Sequence, residues 1–183
     1  MTFNPTIIIA GIAILLLVVV WATYNSLVML RNKVNEAFST MDVFLQKRHD
    51  IIPNLVAVVK GYAEYESATL EKVTKLRSEA QGVNDKVDGE IQISEALGKI
   101  MIVAENYPQL MASQQFLGLQ DKLATIEEDL AFSRRYYNGS VREYNNKCQM
   151  FPFNLIAGIF GFKAMHMFEV ESVAARKNVE VDV

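Results

Sequence analysis

The sequence has few of the residues that build cross-linked, metal-bound or turn-rich proteins. It contains one cysteine, Cys148, which excludes an intramolecular disulfide framework and a cysteine-based zinc site. Its two histidines, His49 and His166, lie far apart in sequence, with no carboxylate or second histidine at metal-ligand spacing. Only four prolines and nine glycines occur among 183 residues, which argues against a disordered chain or a turn-rich β protein. We therefore expect no metal, no cofactor and long helices.

The motifs of common catalytic sites are also missing. No serine lies in a Gly-x-Ser-x-Gly turn, and no phosphate-binding loop of the Gly-x4-Gly-Lys-Ser/Thr type occurs. Cys148 falls on an apolar helical stripe, where a cysteine behaves as a small hydrophobe. Lys plus Arg number 18 against 21 for Asp plus Glu, and this balance offers no reason to propose a nucleic-acid partner. The sequence predicts neither an enzyme nor a small-molecule substrate.

No charged residue precedes Arg31, and the N-terminal segment is strongly apolar. Residues 6–22 read TIIIAGIAILLLVVVWA, long enough for a helix that spans a bilayer. Trp21 and Tyr24 are placed to mark its far boundary. A cleaved signal peptide fits poorly, because residues 1–5 have no Lys or Arg and no small-x-small cleavage site follows. We predict a transmembrane helix over 6–23, and its anchor residues are Ile7, Ile8, Ile9, Leu15, Leu16, Leu17, Val18 and Trp21.

The charges beside this helix predict its orientation. Arg31 and Lys33 follow it, whereas the tail of residues 1–5 has no basic side chain. We therefore expect the tail outside and the rest of the chain in the cytoplasm, as a domain over 24–170 followed by a polar tail over 171–183.

Helical periodicity continues beyond the anchor. Val34, Phe38, Met41 and Leu45 form one stripe, with Arg31, Asn35, Lys47 and Arg48 largely elsewhere. No Gly or Pro separates Trp21 from Asp50, so the anchor helix is expected to continue into this segment. At Pro53 two structures are possible: a hairpin turn with Asp50 as helix cap, which we prefer, or one helix kinked at the proline.

Apolar spacing and turn-forming residues also predict the structure of three further segments. A second amphipathic helix is expected from Ile52 to Ala80, with Val73 and Leu76 on its stripe and Glu71 paired with Lys75. Residues 81–89 (QGVNDKVDG) read as the principal loop. Residues 90–105 resume helical spacing, and Asn106, Tyr107 and Pro108 interrupt it.

The last long helix has the clearest pattern. A three-four repeat of apolar residues predicts near-parallel helix packing of the bundle or coiled-coil kind, with Ser133 as the one break in the stripe and an end at Pro152. The stripe consists of Phe116, Leu119, Leu123, Ile126, Leu130, Tyr137, Val141, Tyr144 and Cys148.

Polar aromatic residues and asparagines cluster at Tyr24-Asn25, at residues 136–138 and at residues 144–146. They are either a partner surface or tyrosines that fill the bundle beside capping asparagines. Arg134 and Arg135 are expected on a solvated face, near Glu127, Glu128 and Asp129. The candidate interaction residues are Tyr24, Asn25, Arg134, Arg135, Tyr137, Asn138, Phe151, Phe153, Phe160 and Phe162.

The segment 151–167 (FPFNLIAGIFGFKAMHM) is strongly apolar but too short and too broken by Pro152, Gly158 and Gly161 for a second span. Three structures remain open: it packs back on the bundle, lies in the membrane interface or docks another chain. The first is preferred.

Two long blocks resemble the LemA family of bacterial membrane proteins. One covers residues 24–73 and contains Tyr24-Asn25, Asp42-Val43 before a basic pair, and the run IPNLV followed by KGYA. The other covers residues 134–169, with its Tyr-Asn repeat and the tail FPFNLIA. The sequence departs from the family pattern at Phe38, where tryptophan is expected, and at Met167-Phe168, where an aromatic pair is usual.

The resemblance implies an all-α protein of the bacterial cytoplasmic (inner) membrane. Its single-pass anchor would continue into a soluble antiparallel four-helix bundle that carries the apolar C-terminal segment, and no enzymatic activity is implied. We favour a non-catalytic scaffold or adaptor that self-associates as a homo-oligomer or recruits another membrane protein. The alternative is a membrane-shaping or envelope-stress protein whose C-terminal segment contacts the lipid bilayer.

Overall fold

The computed structural model describes residues 5–63 and 83–168, and every regular element in these two stretches is an α-helix. The predicted all-α class is confirmed for this part of the chain. The helices are α1 (Pro5–Lys60), α2 (Val83–Glu105), α3 (Pro108–Met111), α4 (Gln114–Gln149) and α5 (Phe153–Phe160).

The N-terminal part of α1 presents apolar side chains on all sides. Ile7 and Trp21 are each 70% exposed, and Leu17 is 69% exposed. The most apolar 18-residue window of α1 has a mean hydropathy of 2.7, yet only 6% of it is buried within the protein. A core helix of a soluble protein would cover such a surface. Within the described residues, α1 is the one helix long and apolar enough to cross a membrane.

α1 continues through Pro53, so the preferred expectation of a hairpin turn there is wrong and the single helix is correct. Proline cannot donate to the carbonyl four residues earlier, which costs about 3 kcal/mol in a helix interior. Ile51 and Ile52 before it, and Leu55 and Val56 after it, are all buried in one core. A hairpin turn at Pro53 would remove either Ile51 and Ile52 or Leu55 and Val56 from this core. Core packing therefore outweighs the tendency of proline to end a helix.

The described helices belong to two compact units. Unit 1 contains Met1–Met41 and Ser133–Met167, and unit 2 contains Asp42–Phe132 and Phe168–Val183. In unit 1, Val34 of α1 packs with Val141 and Tyr144 of α4, and all three are at most 2% exposed. The stripe predicted from Val34 is buried as expected at Val34, Met41 and Leu45.

Unit 2 has the larger apolar core. It combines the C-terminal part of α1 with α2, α3 and the first turns of α4. Large side chains from each helix are at most 1% exposed: Leu55, Val59, Ile100, Leu110 and Phe116. Leu119, Leu123 and Ile126 pack against this core from α4, as their three-four spacing predicted.

The stripe of α4 is confirmed along its whole length. Leu130, Val141 and Tyr144 are at most 1% exposed, and each remaining stripe position is buried or half-buried. Ser133, the break in the pattern, is itself only 3% exposed. The helix ends at Gln149, just before the predicted stop at Pro152.

The expected loop over residues 81–89 is wrong for residues 83–89, which belong to α2. Glycine, asparagine and aspartate lower helix propensity by at most about 1 kcal/mol each, and no proline lies between Pro53 and Pro108. The turns that follow carry Ile93, Ala96 and Ile100 into the core. Once those turns are fixed by packing, adding further helical residues costs little.

Other expectations in this region have different outcomes. α2 ends at Glu105 and the chain breaks at residues 106–108 as predicted. The helix predicted through Val73, Leu76 and Ala80, with its Glu71–Lys75 pair, lies outside the described residues beyond Ala63. Residues 81–82 and the polar tail 171–183 also lie outside them.

Candidate interaction site

The apolar C-terminal segment forms a short helix followed by a non-helical strap in unit 1. α5 ends at Gly161, which has a φ of 73°, a left-handed conformation that glycine adopts without strain. The Phe162 N–H donates to the Ala157 carbonyl at 2.9 Å and closes this cap. The chain then runs without helix from Phe162 to Met167, which we call the strap.

One face of α5 packs on α1. Ile156 and Ala157, 7% and 5% exposed, form a cluster with the fully buried Leu27, and Val20 and Phe153 pack around it. The segment thus packs back on the protein, the preferred expectation. Its other face is left uncovered, with Leu155 at 55% and Ile159 at 75% exposure, and Phe151, which precedes α5, is 78% exposed.

Polar side chains of α4 satisfy the backbone of the strap. The Tyr137 and Tyr144 hydroxyls donate to the carbonyls of His166 and Lys163 at 2.9 and 3.1 Å. The Asn145 amide makes two bonds with Met165: its Nδ2 donates to the Met165 carbonyl at 2.8 Å, and its Oδ1 accepts from the Met165 N–H at 2.9 Å. An extended segment has no internal partners for these groups, so the three side chains supply them.

Aromatic contacts join the strap and α5 to α1. The Tyr24 ring lies 4.9 Å from the Phe160 ring and 5.6 Å from the Phe162 ring, centroid to centroid. The Arg31 guanidinium lies over the Phe162 ring at 5.4 Å, a cation–π contact. Tyr137 also touches Phe38, with 5.7 Å between ring centroids.

The candidate interaction residues therefore fall into two groups. Tyr24, Tyr137, Phe153, Phe160 and Phe162 all contact the segment or belong to its packed side, although Phe160 remains 52% exposed. The rest lie elsewhere in unit 1: Asn25 and Arg135 are exposed, Arg134 and Asn138 are half-buried, and Phe151 is on the uncovered face.

Burial changes the acidity of three groups beneath the strap, and it raises the pKa of Tyr137. It raises the pKa of Tyr144 to about 12, and the hydrogen bond between Tyr144 and Cys148 adds to the shift. Burial also raises the pKa of the Cys148 thiol. The thiol therefore stays protonated near neutral pH and is a poor nucleophile. Nearby, the Lys33 ammonium donates to Glu143 at 2.7 Å, which raises the pKa of Lys33.

Unit 2 contains a buried charged cluster that the sequence analysis missed. Arg48 and Glu90 have side chains only 5% and 2% exposed, with 2.5 Å between Arg48 Nη1 and Glu90 Oε2. Glu127 Oε1 lies 2.5 Å from Arg48 Nε, an ion pair outside hydrogen-bond geometry. His49 Nε2 lies 3.2 Å from the second Glu90 oxygen, and Ser94 Oγ accepts from Arg48 Nη2 at 3.0 Å.

Two expectations change with this cluster. Arg48 is buried rather than off the stripe, and Glu127 pairs with Arg48. The spacing carries a signal for Arg48, since Met41, Leu45, Arg48 and Ile52 step by four, three and four along one face. The positive charge of Arg48 favours an exposed position, and nothing in the local sequence indicates that Glu90 is its ion-pair partner.

The arrangement offers little for catalysis. The charged cluster is closed to solvent at Arg48 and Glu90, so a substrate cannot reach them. An open groove of about 460 Å³ in unit 2 is lined by Lys47, Asp50, Lys122 and Asp129 among others, and its two cations and two anions balance. Across residues 5–63 and 83–168, no group of three His, Cys, Asp or Glu side chains is placed to hold a metal ion.

Over residues 5–63 and 83–168, fold and site together define a helical protein with one candidate membrane helix and an apolar C-terminal segment bound back on it. The chain belongs to the LemA family, whose family model matches residues 37–183. Two relatives are magnetosome protein MamQ 2 of Paramagnetospirillum magneticum, 25% identical over 198 positions (92% of this chain, 71% of the relative), and protein LemA of Metamycoplasma hominis, 25% identical over 162 positions (86% and 73%).

Replacing Arg48 by methionine will leave Glu90 buried without its cation. We expect R48M to lower the free energy of unfolding by about 3–5 kcal/mol, measured by urea unfolding of the full-length protein in detergent. The control K47M, at the exposed neighbouring position, will change it by less than about 0.5 kcal/mol. The double variant R48M/E90L will recover most of the loss, because it removes both charges. A stability of R48M within error of the parent would contradict a structural role for the cluster.

The raised pKa of Tyr144 predicts how stability depends on alkaline pH. The unfolded phenol loses its proton near pH 10, whereas the folded one keeps it to about 12. The unfolded state therefore binds fewer protons in this window, and stability falls as pH rises from 10 to 12 but not below 10. Unfolding midpoints at pH 8 to 12 will show this slope. Y144F will have a shallower slope, and Y136F, at an exposed tyrosine, will keep the parental slope. Equal slopes of stability against pH in all three proteins would contradict a raised pKa of Tyr144 in the folded state.

Proposed function

We propose that this chain is a non-catalytic, single-pass protein of the bacterial cytoplasmic membrane that acts as a scaffold. Residues 1–5 lie outside the cell, residues 6–23 span the bilayer, and the rest forms a cytoplasmic antiparallel four-helix bundle. The bundle associates with a second copy or with another membrane protein.

One observation carries this proposal: α1 is a single helix whose N-terminal part exposes apolar side chains and whose later part is built into protein cores. Eighteen helical residues from Thr6 to Thr23 have a length of about 27 Å, close to the hydrocarbon thickness of a bilayer. The same helix then supplies Leu27 and Val34 to unit 1 and Leu55 and Val59 to unit 2. A continuous helix without a linker suits a protein that holds partners at the membrane.

The chemistry of the surface supports binding over catalysis. Among the described residues, the buried charges of Arg48 and Glu90 neutralise each other, and the four ionisable residues that line the open groove balance in charge. In contrast, Ile102 of α2 and Phe132 of α4 are 63% and 65% exposed in unit 2. Large apolar side chains that are exposed to solvent can serve as anchor residues of protein–protein interfaces.

Site-specific cross-linking in cells tests the scaffold. A photo-reactive amino acid at Ile102 or at Phe132 is expected to give one discrete adduct on illumination. Exposed polar positions on another helix of unit 2, Gln46 and Lys60 of α1, are expected to give little. Full-length protein in mild detergent is expected to have a mass above that of one chain. A monomer mass together with no adduct at Ile102 or Phe132, or the same diffuse adducts at all four positions, would contradict the proposal.

A further inference from the structure

α5 lies beside the end of the proposed span. Its cluster includes Val20 and Leu27 of α1, and its Phe160 touches Tyr24 between them. The rise from Val20 to Leu27 is about 10 Å, comparable to the depth of the polar headgroup region next to the hydrocarbon. If the apolar part of α1 fills the hydrocarbon, α5 is therefore at the level of the headgroups.

The uncovered face of α5 has the character of an interfacial helix. Leu155 and Ile159 lie four residues apart on it, and Phe151 lies just before α5; all three are at least 55% exposed. Residues 151–162 contain no charged side chain. A face of this kind is costly in water but favourable at the boundary between headgroups and acyl chains.

Three cations lie beside α5 and the strap. The Lys147 ammonium lies 4.0 Å from the centre of the Phe153 ring, the Arg31 guanidinium lies over Phe162, and the exposed Lys163 follows α5 directly. Over its residue ranges, unit 1 contains seven Lys and Arg against two Glu, a formal side-chain charge of +5, whereas the whole chain has −3. One of the two acids, Glu143, is already paired with Lys33. Positive charge is therefore concentrated in the unit that carries the span.

We infer that α5 is a second membrane contact: Leu155 and Ile159 of its uncovered face, with the exposed Phe151 before it, enter the cytoplasmic leaflet, and Arg31, Lys147 and Lys163 bind the phosphates of anionic phospholipids there. The inference rests on the span and orientation proposed above and adds the lipid class. The apolar residues insert between the upper acyl chains, while the cations meet the negative surface of the leaflet. Tyr24, Phe160 and the strap fix α5 at this depth.

A second copy of the chain is the competing occupant of this face. Two copies meeting through α5 in a symmetric interface would bring the same cations of both chains together. With +5 on each unit 1, that approach is repulsive, whereas a leaflet of anionic lipid is complementary. The charges therefore favour lipid.

Tryptophan quenching in nanodiscs tests the depth of α5. The full-length parent has a single tryptophan, Trp21, and its quenching by phosphatidylcholine brominated near the glycerol end of the acyl chains reports the span itself. In W21F/I159W, at one protein per disc, we expect quenching as strong as that of Trp21. The control W21F/F132W places tryptophan at an equally exposed position of unit 2 and is expected to show none.

The outcomes separate the two proposals. Quenching of Trp21 but not of the tryptophan at 159 overturns the lipid contact and leaves the span intact. Absence of quenching at both positions overturns the span as well. If the tryptophan at 159 is shielded only in discs that hold two copies, the second copy is the occupant and the lipid inference is wrong.

Energy transfer from the same tryptophan tests the lipid class. Discs of phosphatidylcholine and phosphatidylglycerol in equal parts receive a trace of dansyl-labelled phosphatidylglycerol or, as the neutral probe, dansyl-labelled phosphatidylcholine. We expect the anionic probe to be enriched severalfold near position 159, and K147Q or K163Q to reduce the enrichment by up to about fivefold each. K122Q, in unit 2, will leave it unchanged. Equal transfer to both probes in the parent would overturn the anionic preference.

Discussion

The fold is governed by how the apolar side chains of α1 are covered, and this differs along the length of the helix. Up to Trp21 the protein itself covers almost none of the apolar surface, whereas Leu27, Val34, Leu55 and Val59 are at most 2% exposed. The first part is therefore a candidate membrane helix, and the buried residues of the second part are covered by α2, α4 and α5. Both parts belong to one continuous helix. Each buried residue of α1 therefore lies at a fixed helical rise from the end of the apolar run.

The strap is held by polar contacts because it has no helix or sheet of its own. Tyr137, Tyr144 and Asn145 each bond a backbone group between Lys163 and His166, so the Tyr-Asn pattern of α4 has a structural explanation. These bonds keep α5 against α1 at Val20 and Leu27. Without them, the uncovered face of α5 would have no fixed direction, and Lys163 of the strap would not be held beside it.

The sequence predicted well where one periodicity governs a long segment. The α4 stripe from Phe116 to Cys148 and the Val34 stripe follow from spacing alone, and the apolar start of α1 follows from its uninterrupted apolar run. Local signals failed where packing opposed them: Pro53 lies inside a helix, and residues 83–89 extend α2. In both places the buried residues nearby gain more by staying in the core than the local preference costs.

The candidate site was predictable in part. The bonds of Tyr137 and Tyr144 agree with the expectation that tyrosines fill the bundle and satisfy their hydroxyls, but their partner is the strap, which spacing within one helix cannot reveal. Arg48 was missed because its charge suggested water, and Glu90 lies 42 residues away. The two faces of α5 differ only through contacts with Leu27 and Tyr24, so they required the fold.

Labelling of single cysteines in spheroplasts tests the central claim, that α1 passes from lipid into a cytoplasmic core. In a Cys148→Ala background, Thr2→Cys is expected to react with a membrane-impermeant maleimide in intact spheroplasts, and Glu128→Cys only after lysis. The same labelling at both positions, or the reverse order, would contradict the account.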